Sequence, residues 1–223
     1  MKQTTHAIHE KLVFSAFLAA SSGSIDAYTY LLHGGVFACL QTGNFIALGI
    51  RIGEGKLAEV PHFLLPLAAF VCGTVITRWG QSKLNEQPER RKKLLLGMEI
   101  LILVLVGLGS SFLPNILFNS FLSIAAAIQL QEFQRMKGKP FTSLMMTGNL
   151  RNISVAFYEA FVEKKAAKRE DFLDTFVILA SFITGAALSG FFANSLADYT
   201  IYLSAALLIV PFYLVTKSFS TIF

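Results

Sequence analysis

Apolar residues along the chain fall into eight runs, separated by short breaks that are polar or contain Gly and Pro. Several runs approach the ~20 residues that a helix needs to cross ~30 Å of hydrocarbon. The pattern therefore predicts eight apolar segments, at 11–32, 36–52, 63–81, 94–113, 115–134, 141–161, 172–194 and 199–216.

Composition identifies the solvent of these segments. The chain is 54% hydrophobic and 15% charged, with a mean hydropathy of +0.58, whereas soluble domains carry about 25% charged residues. The net charge of +5 comes without a basic stripe interleaved with aromatics, so nucleic acid is not the expected partner. The partner is the lipid bilayer. Lys2 and Lys11 precede an apolar run as in a signal peptide, but the run resumes after Ser24, which favours an uncleaved first helix over a cleaved peptide.

The eight segments repeat as two sets of four. Thr-Gly-Asn stands at 42–44 and again at 147–149, which is 105 positions later. The run FVCG at 70–73 corresponds to FITG at 182–185, and the additional spacing falls in the longer basic loop at 163–171. The sequence therefore predicts one membrane domain, 1–223, built from two repeats at 11–113 and 115–217. Internal duplication is common among carriers and channels.

The distribution of Lys and Arg decides between two topologies. If all eight segments crossed from a cytoplasmic N-terminus, the basic loop at 83–93 would lie outside, against the positive-inside rule. If the second and sixth segments instead enter and leave on the same side, sixteen of the nineteen Lys and Arg residues become cytoplasmic and only Arg51 and Lys56 lie outside. The charges favour an all-α polytopic membrane protein with six transmembrane helices and two short re-entrant half-helices, in a 3+3 inverted repeat. Both termini would be cytoplasmic.

The Thr-Gly-Asn motifs are predicted to lie at the deepest point of each re-entrant segment. About five extended residues, 37–41, at ~3.3 Å each would descend to mid-bilayer, and a helix over 45–54 at ~1.5 Å per residue would climb back. Gly43 would permit a tight, left-handed turn, and the Thr42 hydroxyl or Asn44 amide would cap free N–H groups. Each half-helix N-terminus would carry about +0.5 of partial charge, suited to a polar or anionic group. The alternative is that the tripeptide marks a kink or a cap in two spanning helices.

Charged residues within the apolar segments are functional candidates, because they are costly in a bilayer. Asp26 lies in mid-segment, and its repeat-related positions are Gln129, Gln131 and Glu132. Arg151 follows the second motif and would pair with Asp26 or Glu132, or attract an anion. The alternative for Asp26 is a helix end or a structural hydrogen bond, and Glu132 is expected at the cytoplasmic boundary.

Two other features are predicted to serve packing or the membrane boundary. Glu99 is expected to snorkel toward the basic cluster at 90–93. Small-xxx-small pairs are expected to mark close helix packing, at Gly49/Gly53 and Ala186/Gly190.

Enzyme signatures are absent from the sequence. It holds no HExxH, GxSxG, P-loop or Rossmann glycine pattern. The four histidines do not share one helix face, and Cys39 and Cys72 form no CxxC pair. We therefore expect no enzymatic activity, no metal and no cofactor.

The stretch GSIDAYTYLLHGGVFACLQTGNFIALGI is similar to the signature of the YoaK family of small bacterial membrane proteins. The matching positions are Gly23, Asp26, Ala27, Gly35, Phe37 and Thr42-Gly43-Asn44, with a second Thr-Gly element at Thr147-Gly148. The resemblance covers nearly the whole chain. It implies a multi-pass protein of the bacterial cytoplasmic (inner) membrane, belonging to a family without an assigned substrate.

The function predicted from these observations is a transporter or channel for a small polar or anionic solute, with a pathway between the repeats. The alternative is a non-transporting membrane assembly or partner-binding protein, and a homo-oligomer is compatible with either. The predicted substrate-binding residues are Asp26, Thr42, Gly43, Asn44, Thr147, Gly148, Asn149 and Arg151.

Overall fold

The computed structural model describes residues 7–110 and 112–220, and each predicted apolar segment overlaps one α-helix. Short helical turns flank some of these helices, at Ile8–Glu10, Leu57–Glu59, Tyr158–Val162 and Ala197–Thr200. The α-helices of the described residues are α1 (Leu12–Leu32), α2 (Gln41–Gly53), α3 (Val60–Lys83), α4 (Pro88–Gly109), α5 (Asn115–Glu132), α6 (Met146–Phe157), α7 (Lys168–Leu196) and α8 (Ile201–Ser220).

Helix length separates α2 and α6 from the others. They have 13 and 12 residues, or about 20 Å at ~1.5 Å per residue, whereas α1, α3, α4, α5, α7 and α8 have 18 to 29. Each short helix is preceded by non-helical residues, 36–40 before α2 and 141–145 before α6. These two stretches are called the lead-ins below.

A two-stranded hairpin, which the hydropathy pattern did not predict, follows α5. Strands β1 (Arg135–Met136) and β2 (Lys139–Pro140) are antiparallel, and Lys137 and Gly138 form the turn with positive φ angles of 49° and 76°. The hairpin is attached to the N-terminal turn, because the Lys137 and Gly138 amides each donate a hydrogen bond of 2.8 Å to Glu10.

Large apolar side chains cover the outside of the helices. Phe191, Ile183, Trp79 and Val71 are 61% to 78% exposed, although soluble monomers rarely expose contiguous apolar patches larger than a few hundred Å². Two helical stretches, 57–83 and 168–217, are long and apolar enough to cross a membrane by length and composition. The helices α1, α4 and α5 carry buried carboxyl or amide groups, which lower their mean hydropathy. Apolar residues outside and polar residues inside suit a chain whose solvent is lipid.

The interior is formed by α1 and α5, which bury most of their residues. The packing partners of α1 are α7 and α8, and those of α5 are α3 and α4. The pair α4 and α8 also pack on each other, whereas α2 lies against α3 and α6 against α7. The half-length helices are therefore peripheral, while their lead-ins reach the core.

Glycines set the closest helix contacts. A Cβ at Gly185 of α7 would lie 2.6 Å from the Ala20 carbonyl carbon of α1, and one at Gly23 would lie 2.9 Å from the carbonyl carbon of Phe182. A Cβ at Gly73 of α3 would lie 3.1 Å from the backbone of α5. Gly73 and Gly185 end the two related runs at 70–73 and 182–185, so the repeated glycine has the same packing role twice.

The predicted small-xxx-small pairs do not make these contacts. A Cβ added at Gly49, Gly53 or Gly190 would have no other atom within 4 Å, so these three glycines face open space within the described chain. The prediction of close packing is therefore wrong for these three glycines within the single chain, because the spacing of small residues does not say which face of a helix packs against another helix.

Candidate functional site

The lead-in to α2 is non-helical backbone that lies within the core. Val36 and Ala38 are fully buried and Cys39 is 6% exposed. In the second half, Ser143 and Leu144 of the lead-in to α6 are equally buried. Irregular backbone at membrane depth persists only where protein or a wet cavity satisfies its polar groups, so the partners of these lead-ins define the site.

Asp26 of α1 accepts hydrogen bonds from backbone amides of the lead-in to α2. Its Oδ1 accepts hydrogen bonds from the amides of Cys39, at 2.7 Å, and Leu40, at 3.3 Å. About one helical turn further along α1, the Thr29 hydroxyl accepts from the Ala38 amide at 3.3 Å. A carboxylate at this point also lies next to the partial positive charge of the α2 N-terminus. The structural hydrogen bond, one of the two interpretations of Asp26, is therefore formed.

Gln129 of α5, one of the three positions related to Asp26, contacts the lead-in of the second half. Its Nε2 donates to the hydroxyls of Ser143, at 2.5 Å, and Ser22, at 2.7 Å, and to the Leu18 carbonyl at 3.2 Å. Gln129 thus joins the lead-in of α6 to both α5 and α1. Its Oε1 is buried and accepts no hydrogen bond from the described residues.

The Thr-Gly-Asn motifs form the first turns of α2 and α6 and are not the predicted turn before each helix. The buried Asn44 side-chain amide bonds to both backbone groups of Phe37. It accepts from the Phe37 N–H at 2.9 Å and donates to the Phe37 carbonyl at 2.6 Å. Asn149 donates to the carbonyl of Thr142 at 2.9 Å. Positions 37 and 142 are 105 apart, the spacing of the motifs themselves, so both asparagines hold their own lead-ins.

The threonines and glycines of the motifs have other positions than predicted. Thr42 and Thr147 are exposed on the outer faces of their helices, and neither helix has a side-chain N-cap hydrogen bond. Gly43 and Gly148 do not have positive φ angles. A Cβ at Gly43 would meet the Phe37 ring at 2.7 Å, whereas Gly148 faces open space. The predictions of a left-handed turn and of Thr42 or Asn44 caps are therefore wrong, because the helix begins before the motif.

Arg151 is separated from its predicted partners. It is exposed and lines a cleft of about 850 Å³ formed by α6, α7 and the hairpin. Asp26 is bonded to its lead-in, and the buried Glu132 pairs with Arg91, whose Nη2 is 3.0 Å from Oε1. Glu132 is the last residue of α5, and its side chain is buried in an ion pair rather than exposed, so it has a buried role in the protein and its position at the cytoplasmic boundary stays a prediction.

The two motifs do not line a common cleft in either of two polar clefts found in the described chain. The Arg151 cleft is lined from the second half and the hairpin. A second cleft, of about 380 Å³, surrounds Arg91 and Glu132. Neither cleft is lined by residues of both Thr-Gly-Asn motifs. The two halves do meet in the buried polar interior, where Gln129 of α5 bonds to Ser22 of α1.

Several interior polar groups were not predicted. Ser24 Oγ lies 2.7 Å from the hydroxyls of both Ser189 and Ser204, which joins α1, α7 and α8. Glu99 of α4 is fully buried, and neither carboxyl oxygen has a hydrogen-bond partner among the described residues. The expected snorkelling of Glu99 is wrong. The Ser-rich patch at 21–24 was the signal for the serine cluster, whereas nothing in the local sequence marks the face on which Glu99 lies.

Charged side chains outside the membrane-spanning helices form local pairs. After α2, Glu54 bonds to Lys56 at 2.9 Å and to Arg51 at 3.0 Å. Hydrogen bonds from Lys56 and then Arg51 hold the pKa of Glu54 below its usual value. Within residues 7–110 and 112–220, no group of three or more His, Cys, Asp or Glu side chains is placed to hold a metal ion.

Comparison with known proteins identifies the family. The family described as "Protein of unknown function (DUF1275)" matches residues 14–214, and the chain belongs to it. The UPF0700 transmembrane protein YoaK of Bacillus subtilis (strain 168) is 28% identical over 143 residues, which are 62% of this chain and 63% of that protein. The aligned part is thus less than two thirds of the relative's length. No solved structure matches the chain. The resemblance to the YoaK family is confirmed, and the chain is a mostly helical membrane protein.

Proposed function

We propose that this member of the DUF1275 family is a transporter or channel for a small polar or anionic solute, and not an enzyme. The observation that carries the proposal is the pair of non-helical lead-ins buried against the polar side chains of α1 and α5. Discontinuous helices whose N-termini point into the interior form the solute sites of many transporters. Buried polar residues in membrane helices also mark solute and ion pathways.

The pathway would run between two inverted repeats, 11–113 and 115–217, within one membrane domain. Supporting this, the packing is reciprocal: α1 of the first half lies on α7 of the second, and α5 of the second lies on α3 of the first. The corresponding pairs α1 with α8 and α5 with α4 are also both formed. Exchange of equivalent contacts is expected when a pseudo-two-fold axis relates the halves.

The proposed topology has six spanning helices, re-entrant α2 and α6, and cytoplasmic termini in the bacterial inner membrane. The basic loops support it through the positive-inside rule. Arg51 and Lys56, the two basic residues assigned to the outside, bond to Glu54, and Arg51 also lies 3.0 Å from Glu59. Their charge is therefore locally balanced on the side where basic residues are disfavoured.

Side chains that retain hydrogen-bonding capacity would contact the solute. Asn44 and Asn149 would hold the lead-ins in position, and Asp26 would set the local charge. Gln129 would meet the solute through its unpaired Oε1, and Arg151 would attract an anion at the cytoplasmic cleft. A solute bearing both a donor and a negative or polar group fits this set.

Flux through purified, reconstituted protein tests the proposal. Stopped-flow swelling of proteoliposomes would be measured with glycerol, urea, nitrate and formate. For any of these solutes that the wild type transports, we expect Gln129→Leu to lower the flux about tenfold. This is the effect of losing one or two hydrogen bonds of ~1 kcal/mol each. Gln134→Leu makes the same change at an exposed position and should leave flux unchanged. Wild-type flux equal to that of protein-free liposomes for every solute would contradict the proposal.

Cysteine accessibility tests the topology separately. Single cysteines at Glu54, Lys56 and Glu59, in a background without the native cysteines, are all at exposed positions. An impermeant thiol reagent applied to intact cells should label them, but not cysteines at Gln87 or Ala166. Labelling at Gln87 with protection at Glu54 would mean that α2 crosses the membrane and that the halves are not inverted.

The second candidate is a non-transporting assembly or partner-binding protein. The outer face of α2 favours it, because Phe45 and Ile46 are 63% and 62% exposed and Gly49 and Gly53 have open space beside them. Such a face suits a partner helix or a second copy of the chain. This candidate predicts no solute flux, and it predicts that only stability changes when Asn44 is replaced by Ala.

A further inference from the structure

The N-terminal end of α4 carries four consecutive basic residues whose side chains have different environments. Arg91 pairs with the buried Glu132 at 3.0 Å, and Lys92 also has a carboxylate partner, at 3.3 Å. Among residues 7–110 and 112–217, by contrast, Arg90 and Lys93 form no ion pair, and the partner of Arg90 is the neutral Gln87, to whose Oε1 it donates at 3.1 Å. Two of the four charges are thus neutralised inside the protein and two remain available outside it.

The two unpaired cations stand at one end of a cleft between α4 and α8. The cleft has a volume of about 490 Å³. Gly97 forms its floor, because a Cβ there would lie 3.4 Å from the Phe212 ring. The α4 wall opens outward, with side chains that are 45% to 55% exposed. Apart from Arg90 and Lys93, the lining residues are apolar: Leu94, Gly97, Met98, Leu101 and Phe212.

The dimensions of the cleft match one leaflet of a bilayer. From residue 90 to residue 101, α4 rises about 16 Å at ~1.5 Å per residue, and half of a ~30 Å hydrocarbon core is ~15 Å. The cations lie at the helix end and the apolar walls lie toward the membrane centre. This is the order of a phospholipid, with its phosphate at the boundary and its acyl chain inward.

We propose that this cleft binds one anionic phospholipid. Arg90 and Lys93 contact the phosphate, and an acyl chain lies along Leu94, Leu101 and Phe212. Basic pockets between membrane helices bind anionic head groups, and the first turn of α4 adds partial positive charge toward the phosphate. A second copy of the chain is disfavoured as the occupant. In a dimer with a two-fold axis along the membrane normal, Arg90 and Lys93 of both copies would lie at the same depth, where like charges would face each other.

Native mass spectrometry of the full chain in detergent tests the site with phosphatidylglycerol and phosphatidylcholine. Wild type should retain one phosphatidylglycerol in preference to phosphatidylcholine. The variant Arg90→Gln/Lys93→Gln should lose this retention about tenfold or more, since each cation near the surface contributes to anionic-lipid attraction. The control Lys83→Gln/Lys164→Gln removes the same charge at exposed positions outside the cleft and should behave as wild type.

A second variant separates the cleft from the charges. Gly97→Leu fills the floor and keeps both cations, so it should lower phosphatidylglycerol retention while a monodisperse elution profile verifies folding. Equal retention of the two lipids by wild type would overturn the proposal, as would equal losses in the control variant. Displacement of the lipid by millimolar inorganic phosphate would assign the site to free anions, and dissociation of a dimer by Gly97→Leu would assign it to a second copy. Either result overturns the lipid site.

Discussion

The contact between α1 and α7 offers a sharp test of the packing. Replacing Gly185 with Ala adds one methyl group at the point where α7 approaches the Ala20 carbonyl group of α1. The added Cβ would lie 2.6 Å from the carbonyl carbon and 2.9 Å from Cα, and it would also overlap the carbonyl oxygen. All three are backbone atoms, so no side-chain rotation relieves the overlap and the helices must separate.

The expected cost follows from that geometry. Overpacking a close-packed interior costs ~1–3 kcal/mol, occasionally more, and backbone overlap puts Gly185→Ala at about 3 kcal/mol. For a domain of this size, each kcal/mol shifts Tm by roughly 2–4 °C, so the expected decrease is roughly 6–12 °C. Gly190→Ala is the matched control on the same helix. Its Cβ enters open space, and an unstrained Gly→Ala change stabilises by roughly 0.4–1 kcal/mol.

The native thiols supply the assay. Cys39 is buried and Cys72 is exposed, so in a Cys72→Ser background a thiol-reactive dye reports unfolding when Cys39 becomes accessible. Thermal ramps would be recorded in one detergent for wild type, Gly185→Ala and Gly190→Ala. A Gly185→Ala midpoint within 2 °C of the Gly190→Ala midpoint would refute the close approach of α1 and α7, by the scale of roughly 2–4 °C per kcal/mol.

Three further outcomes are expected. Asn44→Ala should destabilise by roughly 1–3 kcal/mol, because it leaves the partly buried backbone N–H and C=O groups of Phe37 without their Asn44 partner, and the same thermal ramp measures it. Glu132→Ala should cost about 3–5 kcal/mol by stranding the Arg91 charge, and the double variant with Arg91→Met should recover part of that loss. Burial alone would lower the pKa of Lys137, but hydrogen bonds to Asp174 and Glu170 raise it overall. Its stabilisation of the hairpin is thus present below about pH 10.4, the ordinary lysine value, and is lost as pH rises through the raised pKa. A spin label in the hairpin should gain mobility there, and Lys137→Met should abolish the pH dependence.

The order and number of helices could be predicted because lipid makes hydropathy a strong signal. Each apolar run overlaps one helix, and the shared glycine of the runs at 70–73 and 182–185 has the same packing role in both halves. The start of α2 could not be predicted to the residue. Extended and helical backbone are both compatible with the few residues before Thr42, and the hydrogen bonds that decide between them come from Asp26 on another helix.

The sequence indicated some of the polar residues that lie at the lead-ins, but it did not indicate which groups they contact. Asp26 and both motif asparagines do lie at the lead-ins, because a buried polar side chain must find a partner. Their partners could not be predicted, since Asn44 reaches back seven residues to Phe37. Glu132 and Arg91 are 41 positions apart, and only the packing of α4 on α5 brings them together.

The hydrogen bonds change which residues are the best candidates for solute ligands. The polar atoms of Asn44 are used by the backbone of its own lead-in, and Asp26 Oδ1 accepts two amides. Within the described chain, interior groups with unused capacity include the carboxyl group of Glu99 on α4 and, on α5, the hydroxyl of Ser123 and Oε1 of Gln129. The hydroxyls of Ser15 on α1 and Thr216 on α8 are also without a partner among the described residues. A buried polar atom without a partner is costly, and binding a donor-bearing solute would remove that cost. The asparagines of the repeated tripeptide therefore hold the lead-ins in place, and we expect the solute chemistry of the proposed pathway to depend on the unpaired interior groups instead.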